Sequence, residues 1–268
     1  MTIKPSSDLP PIFVINRPKD GHRRADMTER LAKVGLTPIF FDAIDGYLLD
    51  IPNLADYDSE RRHRYFGKDL KAGEIGCLLS HRAIYEKMVT ENIPKALVLE
   101  DDVFLADDFR DVLLDIQNTA VPWDLIRFVG HGKVFETGYR SLAALNHGYS
   151  ITRVPTSPSG AYAYLLTLKA AKRLLQFMQR NWVPVDIIHS RAWQTRLETL
   201  LIHPSPVAPD LEGPSTIGDE RFDKSKQIRG LTKLVHPFYR FWYKLSNGAG
   251  KRLVYALTWY RDRKNSSS

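Results

Sequence analysis

Three consecutive acids, Glu100, Asp101 and Asp102, follow the apolar run Ala96-Leu97-Val98-Leu99 and precede Val103-Phe104-Leu105. Carboxylates this close repel one another, and drawing them toward a core is costly unless a positive species answers them. In an extended strand alternate side chains face opposite ways, which would put Glu100 and Asp102 on one face and Asp101 on the other. Open α/β sheets bind ligands beyond the carboxyl ends of their strands. Two oxygen donors there suit Mg²⁺ or Mn²⁺, which take one or two carboxylates and fill the remaining positions with water and phosphate oxygens. An acidic lead into a helix at Asp107 would give the same pattern, and the triplet alone leaves both readings open.

Other residues have types suited to the same chemistry. Asn16 and Arg17 close a strand-like run and are followed by Arg23 and Arg24. An arginine fork holds a diphosphate or stacks on a base, although one of Arg23 and Arg24 would serve equally on a solvated helix face. Asp45-Gly46 ends a second run, as a ligand-binding acid or as a plain turn. Gly73 and Gly76 flank a helix start and permit close backbone approach, and helix N-termini favour anions. Ser80 and His81 lie farther along that helix, where a histidine ordinarily packs. Asp186, after Pro184, has the type of a general base or of a helix N-cap, with Asp210 another possible acid. His189 and His203 are conceivable further metal ligands, or structural.

The elements that would carry these residues alternate. Strands are expected at 11–16, 38–44, 95–100, 124–129 and 161–166, from apolar and β-branched runs bounded by turn residues. Helices are expected where Met27, Leu31 and Val34 recur, over 74–92, where Phe109, Val112, Leu113 and Ile116 fall at i, i+3, i+4 and i+7, and around Ala171, Leu174, Leu175 and Met178. Such alternation implies an α/β layered domain with a mostly parallel sheet. Residues 47–72 are polar and poorly periodic and leave the main fold. Residues 131–150 are expected as a long loop, and the Pro/Gly/Ser-rich run after His203 as a loop or linker.

Charge is unevenly placed. Of 38 Lys/Arg and 31 Asp/Glu, the stretch Lys224 to Lys264 holds eleven bases and one acid, Asp262, so the remainder is mildly acidic. Leu231, Leu234, Val235, Phe238, Phe241, Trp242 and Leu245, then Leu253, Val254, Leu257 and Tyr260, keep helical spacing among these cations, with a kink or restart expected at Pro237. Basic amphipathic segments rich in aromatics lie in anionic membrane surfaces; a helical pair packed on the body is the other reading. The placement argues against a nucleic-acid groove. One cysteine, Cys77, precludes an internal disulfide and suits a reducing compartment. The N-terminal residues lack a secretory pattern, and no apolar run approaches the ~20 residues of a membrane span. A domain at 1–222 with a basic tail at 223–268 is expected.

The string GEIGCLLSHRAIYEKMVTENIPKALVLEDDV (Gly73 to Val103) resembles the signature of glycosyltransferase family 25. VINRPKDGHRR, FFDAIDG, SGAYAYLLTLKAAKRLL, PVD (Pro184 to Asp186) and PSTIG (Pro214 to Gly218) match in the same order. The resemblance implies a GT-A-like Rossmann-type fold and inverting transfer of a hexose, usually galactose, from a UDP-sugar to a lipooligosaccharide or related glycan. It implies that Glu100-Asp101-Asp102 is the DxD-type motif, here with Glu first, as is usual in the family. Asp102 would then ligate Mn²⁺ or Mg²⁺ with Glu100 beside it, and Asp186 would be the base, with Asp101 a second catalytic candidate. Asn16, Arg17, Arg24, Asp45, Gly46, Gly76, Ser80, His81 and Glu100 would hold the nucleotide sugar. A glycolipid acceptor would place the protein in the cytoplasm, peripheral on the inner membrane face. A metal-dependent phosphohydrolase and a non-catalytic membrane-binding module are the competing readings.

Overall fold

Every position of β1 (Ile12–Asn16) is buried, which for a pleated strand means that both faces are covered. The structure, a computed structural model, describes residues 9–130, 134–136, 138–156, 158–210 and 232–265, excepting the side chains at 232, 233, 264 and 265. After β1 come α1 (Gly21–Lys33), β2 (Ile39–Asp42), α2 (Ser59–Phe66), α3 (Ala72–Thr90), β3 (Lys95–Glu100), β4 (Val103–Leu105) and α4 (Phe109–Asn118). The chain continues through β5 (Leu125–Arg127), β6 (Arg140–Ala144), β7 (Ser150–Arg153), β8 (Ala163–Thr167), α5 (Leu168–Phe177), α6 (Val185–His189) and α7 (Ala192–Thr195). It ends with β9 (Thr199–His203), β10 (Val207–Pro209), α8 (Thr232–Leu257) and α9 (Trp259–Asn265).

Eight strands form one sheet in the order β2-β1-β3-β8-β5-β9-β7-β6. β1 is parallel to β2 and β3, and β5 to β9. β8 is antiparallel to β3 and β5, and β7 to β9 and β6. Most of the strands thus share one direction, and β8 and β7 oppose it. The α/β expectation holds, with a mixed rather than purely crossover-built sheet; a strand reached without a crossover helix runs antiparallel.

Alternation along the central strands sorts the core into two. Leu97 and Leu99 of β3 join Val14, Ala163 and Leu165 on one face, covered by Met27 and Leu31 of α1 and by Phe109, Val112, Leu113 and Ile116 of α4. Ala96 and Val98 join Phe13, Ile15, Tyr164 and Leu166 on the other, covered by α3 and by Ala170, Ala171 and Leu174 of α5. The sheet is therefore the middle of three layers, and the carboxyl ends of β1, β2 and β3 open side by side at one edge.

Four sequence expectations change. Residues 131–150 contain strand β6 rather than only a loop, and β9 and β10 were not foreseen. β6 is an edge strand with one buried residue, Leu142, so burial left little trace in its sequence. Asp101 and Asp102 form a turn between β3 and β4, so strict strand alternation stops at Glu100. Of the kink or restart expected at Pro237, the restart is excluded, since α8 runs through it. The linker after Asp210, PSTIG, the 222/223 boundary and the first basic residues of the tail lie outside the described residues.

The tail packs on the body. Tyr239 and Tyr243 of α8 meet Tyr65 and Phe66 of α2, with ring centroids 5.2 and 4.9 Å apart. Asp262 of α9 is buried and accepts from Arg153 of β7 at 2.8 Å. The outward side keeps Phe238, Phe241, Trp242, Leu253, Leu257 and Tyr260 exposed. Among the described residues no helix is long and apolar enough to cross a membrane.

Candidate active site

The three parallel strand ends frame an open cleft, lined in part by Arg17, Asp45, Glu100, Asp101 and Asp102. One wall depends on two glycines. A Cβ on Gly46 would lie 1.8 Å from the Ala72 carbonyl oxygen, and one on Gly76 would lie 2.5 Å from that of Ile44. The loop after β2 thus rests directly on the backbone of α3. Ser80, wholly buried, ties the same pair together: its Oγ accepts from the Ile44 N–H at 2.9 Å and donates to the Gly76 carbonyl at 2.7 Å. Gly46→Ala is expected to destabilise the fold by about 3 kcal/mol, because backbone rather than a flexible side chain must yield. Denaturant unfolding checks this beside Gly21→Ala, whose Cβ meets nothing within 4 Å and should cost nothing.

The acidic turn is held from one side. Asn16, buried at the end of β1, donates Nδ2–H to Asp101 Oδ2 at 2.7 Å, and Arg23 Nη1 donates to Asp101 Oδ1 at 2.9 Å. Asp101 is thereby fully engaged by protein. Asp102 receives only a long Arg23 contact at 3.5 Å, while its carbonyl accepts the Asp210 N–H at 2.6 Å. Burial, then the charge of Glu100, push the Asp102 carboxyl up to about 7, against the pull of Arg23. Among the described residues more negative charge sits here than neighbouring cations balance, and such hard oxygen donors fit a divalent cation. Glu100 and Asp102 are the residues that would hold it.

Glu100 has a second set of neighbours. Cys77, His81 and Glu100 bring their ligand atoms within 4.8 Å of one another. Cys77 and His81 stand at i and i+4 on α3, hence on one helix face. The buried His81 Nε2 has no hydrogen-bond partner and lies 3.6 Å from Glu100 Oε1. Its Nδ1 contacts Tyr164 OH at 2.6 Å, which meets Tyr85 OH at 2.8 Å, which meets His189 Nε2 at 2.7 Å. This buried polar chain was not visible in sequence, where only His81 and Tyr85, at i and i+4 on α3, share a local spacing. Burial and the charges of Glu100, Asp186 and Asp102 push the Cys77 thiol up, so it stays protonated.

The other expected residues separate. Arg17 lines the cleft and pairs with Asp20 at 2.6 Å. Asp45 lines it too, held by Lys19 at 2.6 Å and by the Tyr47 N–H at 3.1 Å. Arg24 is not among the lining residues: it pairs with Asp42 at 2.9 Å and covers the Phe40 ring. Arg23, its neighbour, is the arginine that reaches the acids. Asp186 lies in the first turn of α6, where its carboxylate accepts from Ile187 N–H at 2.8 Å and Gly160 N–H at 3.3 Å. Like Arg24, it is not among the residues lining the cleft. His203 stacks on Phe135 at 4.0 Å, and His189 is buried beside Tyr164, both in aromatic surroundings.

Comparison with known proteins places these residues in one family. The family model described as "Glycosyltransferase family 25 (LPS biosynthesis protein)" matches residues 9–189. The human "Inactive glycosyltransferase 25 family member 3" is 33% identical over 188 residues, 65% of this chain and 30% of that protein. An Aedes aegypti "Glycosyltransferase 25 family member" is 32% identical over 189 residues, 65% of this chain and 29% of the other. Mouse "Procollagen galactosyltransferase 2" is 30% identical over 131 residues, 46% of this chain and 21% of that protein. The match thus spans about a third or less of these relatives. Since the family match runs from the first strand through Asp186 and takes in the acidic turn, the chain belongs to glycosyltransferase family 25.

Proposed function

We propose that this protein is an inverting, metal-dependent hexosyltransferase that moves a sugar, galactose by preference, from a UDP-sugar to a lipooligosaccharide or related glycolipid. The observation that carries the reading is the surplus of carboxylate at Glu100 and Asp102, set beside Arg17 and Asp45 at the ends of three parallel strands. Bound there, Mn²⁺ or Mg²⁺ would supply neutralisation of charge on a departing diphosphate.

The chain's own residues have separable roles in this scheme. Arg17 offers a cationic fork toward phosphate. Asp45 offers a carboxylate, oriented by Tyr47 N–H, to ribose hydroxyls. Asn16 and Arg23 fix Asp101 and so hold the turn that presents Asp102. Asp186, oriented by two backbone N–H groups, would take the proton from the acceptor hydroxyl on the face opposite the leaving group. In this reading Asp101 is a positioning residue rather than a second base.

The tail supports a membrane-borne acceptor. Its outer side alternates Phe241, Trp242, Leu245, Leu253 and Leu257 with exposed Lys244 and Arg252, the make-up of a helix resting in an anionic interface. In this reading the protein works peripherally on the cytoplasmic face of the membrane. The family description, which names LPS biosynthesis, favours the same acceptor class.

The relatives include four mammalian proteins named inactive or probable inactive and one named a galactosyltransferase, so turnover is the decisive test. Purified protein with Mn²⁺ and each of a panel of UDP-sugars should release UDP from one donor, and more with a glycolipid acceptor, and chelation should stop it. Release of phosphate from simple esters instead would convert the reading to a phosphohydrolase. Liposome binding with no affinity for UDP would convert it to a membrane-binding module.

A further inference from the structure

A second cavity lies between the sheet and helix α8, lined in part by Arg127, Arg153, His189 and Lys251. It exists because α8 comes in close at Gly250. A Cβ there would lie 2.5 Å from the Trp193 ring, so the helix backbone rests on the indole and the next residue, Lys251, is carried into the cavity wall.

The wall has a consistent chemistry. No carboxylate lines it, whereas Arg127, Arg153 and Lys251 do. Arg153 is answered by Asp262 at 2.8 Å and by Glu198. Lys251 has neither an ion pair nor a hydrogen bond among the described residues. Burial, then the charges of Arg127 and Arg191, pull its ammonium down, and Asp186 opposes them only in part.

Four further lining residues contribute buried polar atoms without partners: Trp193 Nε1, Thr156 Oγ1, Thr199 Oγ1 and His189 Nδ1. Buried donors left unmade are costly, so their collection around one cavity asks for an occupant. Trp193 Nε1–H can only donate, and the threonine hydroxyls rotate to donate. His189, kept neutral by burial, turns Nδ1–H to the cavity when Tyr85 OH donates to its Nε2 at 2.7 Å.

We propose that this cavity is an oxyanion site, independent of the donor cleft, in which Lys251, Trp193, Thr156, Thr199 and His189 hold a phosphate or carboxylate group of a small soluble ligand. An ammonium, an indole N–H, two hydroxyls and an imidazole N–H match the several acceptor oxygens of such a group. Apolar ligands would leave all five donors unmet, and a cation would face Arg127 and Lys251. Occupancy would also join α8 to the sheet, so that ligand and tail docking support each other.

Calorimetric titration of the full chain with inorganic phosphate, against chloride at matched ionic strength, tests this. Wild type should bind. Lys251→Ala should weaken binding about tenfold or more, as loss of a charge-assisted contact implies, and Lys251→Arg should largely restore it. Arg17→Ala, in the donor cleft, should leave the Lys251-dependent binding in place. Thr199→Val, isosteric and on strand β9 rather than on the tail, gives a second reading if Lys251→Ala loosens α8, and it should also weaken binding. A hexose phosphate that binds more tightly than phosphate identifies a phosphorylated sugar as the source; equal affinity identifies free phosphate, and both uphold the site. Heat no greater than chloride gives, equal affinity in wild type, Lys251→Ala and Thr199→Val, or loss of binding with Arg17→Ala alone overturns it.

Discussion

Asp102→Asn is expected to remove catalysis while making the metal-free protein more stable. Loss of a carboxylate ligand should lower UDP release at least roughly a hundredfold, since metal-assisted charge stabilisation is worth several kcal/mol. Stability should move the other way. Burial and Glu100 raise the Asp102 carboxyl to about 7, so the fold prefers its protonated form. That contribution is whole below the unfolded carboxylate range, near 4, and is lost as pH climbs through 7. Asn keeps the neutral shape at every pH. The full displacement corresponds to roughly 4 kcal/mol; water reaching a side chain 28% exposed reduces it to about 2 kcal/mol.

Urea unfolding in the presence of a chelator should therefore show wild type and Asp102→Asn alike near pH 4. The variant should pull ahead between pH 4 and 7, and the gap should be constant above. Mn²⁺ at pH 8 should stabilise wild type and leave the variant unmoved. A variant less stable than wild type at pH 8, or one that still turns over donor, would remove Asp102 from the centre of the site. No ordinary surface substitution predicts this opposition of activity and stability, because it arises only where a charge is held for function at a cost to the fold.

The parts of this architecture that were readable in advance are those written into local pattern. Ile12–Asn16 and Lys95–Glu100 are apolar because both sheet faces are covered, and the 3.6 period of Phe109, Val112, Leu113 and Ile116 records one buried helix side. Asp102 was singled out because strand ends collect ligands, a rule of topology. What escaped depends on tertiary approach. Arg23 and Arg24 are adjacent, and only the docking of α1 decides that Arg23 faces the acids and Arg24 faces Asp42. The contacts from His81 to Tyr164 and from Tyr85 to His189 join residues 83 and 104 positions apart, with no spacing to betray them. Gly46 and Gly76 were singled out for ligand approach, whereas each makes room for the other's backbone.

The tail shows the same division and carries the second large effect. Its basicity and apolar periodicity were plain, but those traits belong to the outer side. The docked side rests on Tyr243, Gly250 and Asp262, and Asp262 was the clue: a single acid among eleven bases is there to be paired. Asp262 sits buried between Arg153, at 2.8 Å, and Arg140, at 3.2 Å. Removing one partner of a buried ion pair costs about 3–5 kcal/mol because the other charge is stranded. Glu198 still holds Arg153, so Asp262→Ala should cost about 3 kcal/mol, the lower end of that range. Arg140 also donates to the Tyr255 carbonyl and, at 2.9 Å, to Thr258 Oγ1, so the loss should loosen the end of α8 along with α9. Limited proteolysis should then cut within 250–265 several times faster than in wild type, while UDP release from donor alone persists, because the cleft is built at the opposite half of the sheet. In an Arg153→Met background the same substitution should cost less, and the difference measures the pair itself. If Asp262→Ala unfolds at the wild-type denaturant midpoint and resists protease equally, the tail is not anchored there, and its basic face alone would have to explain where the helix rests.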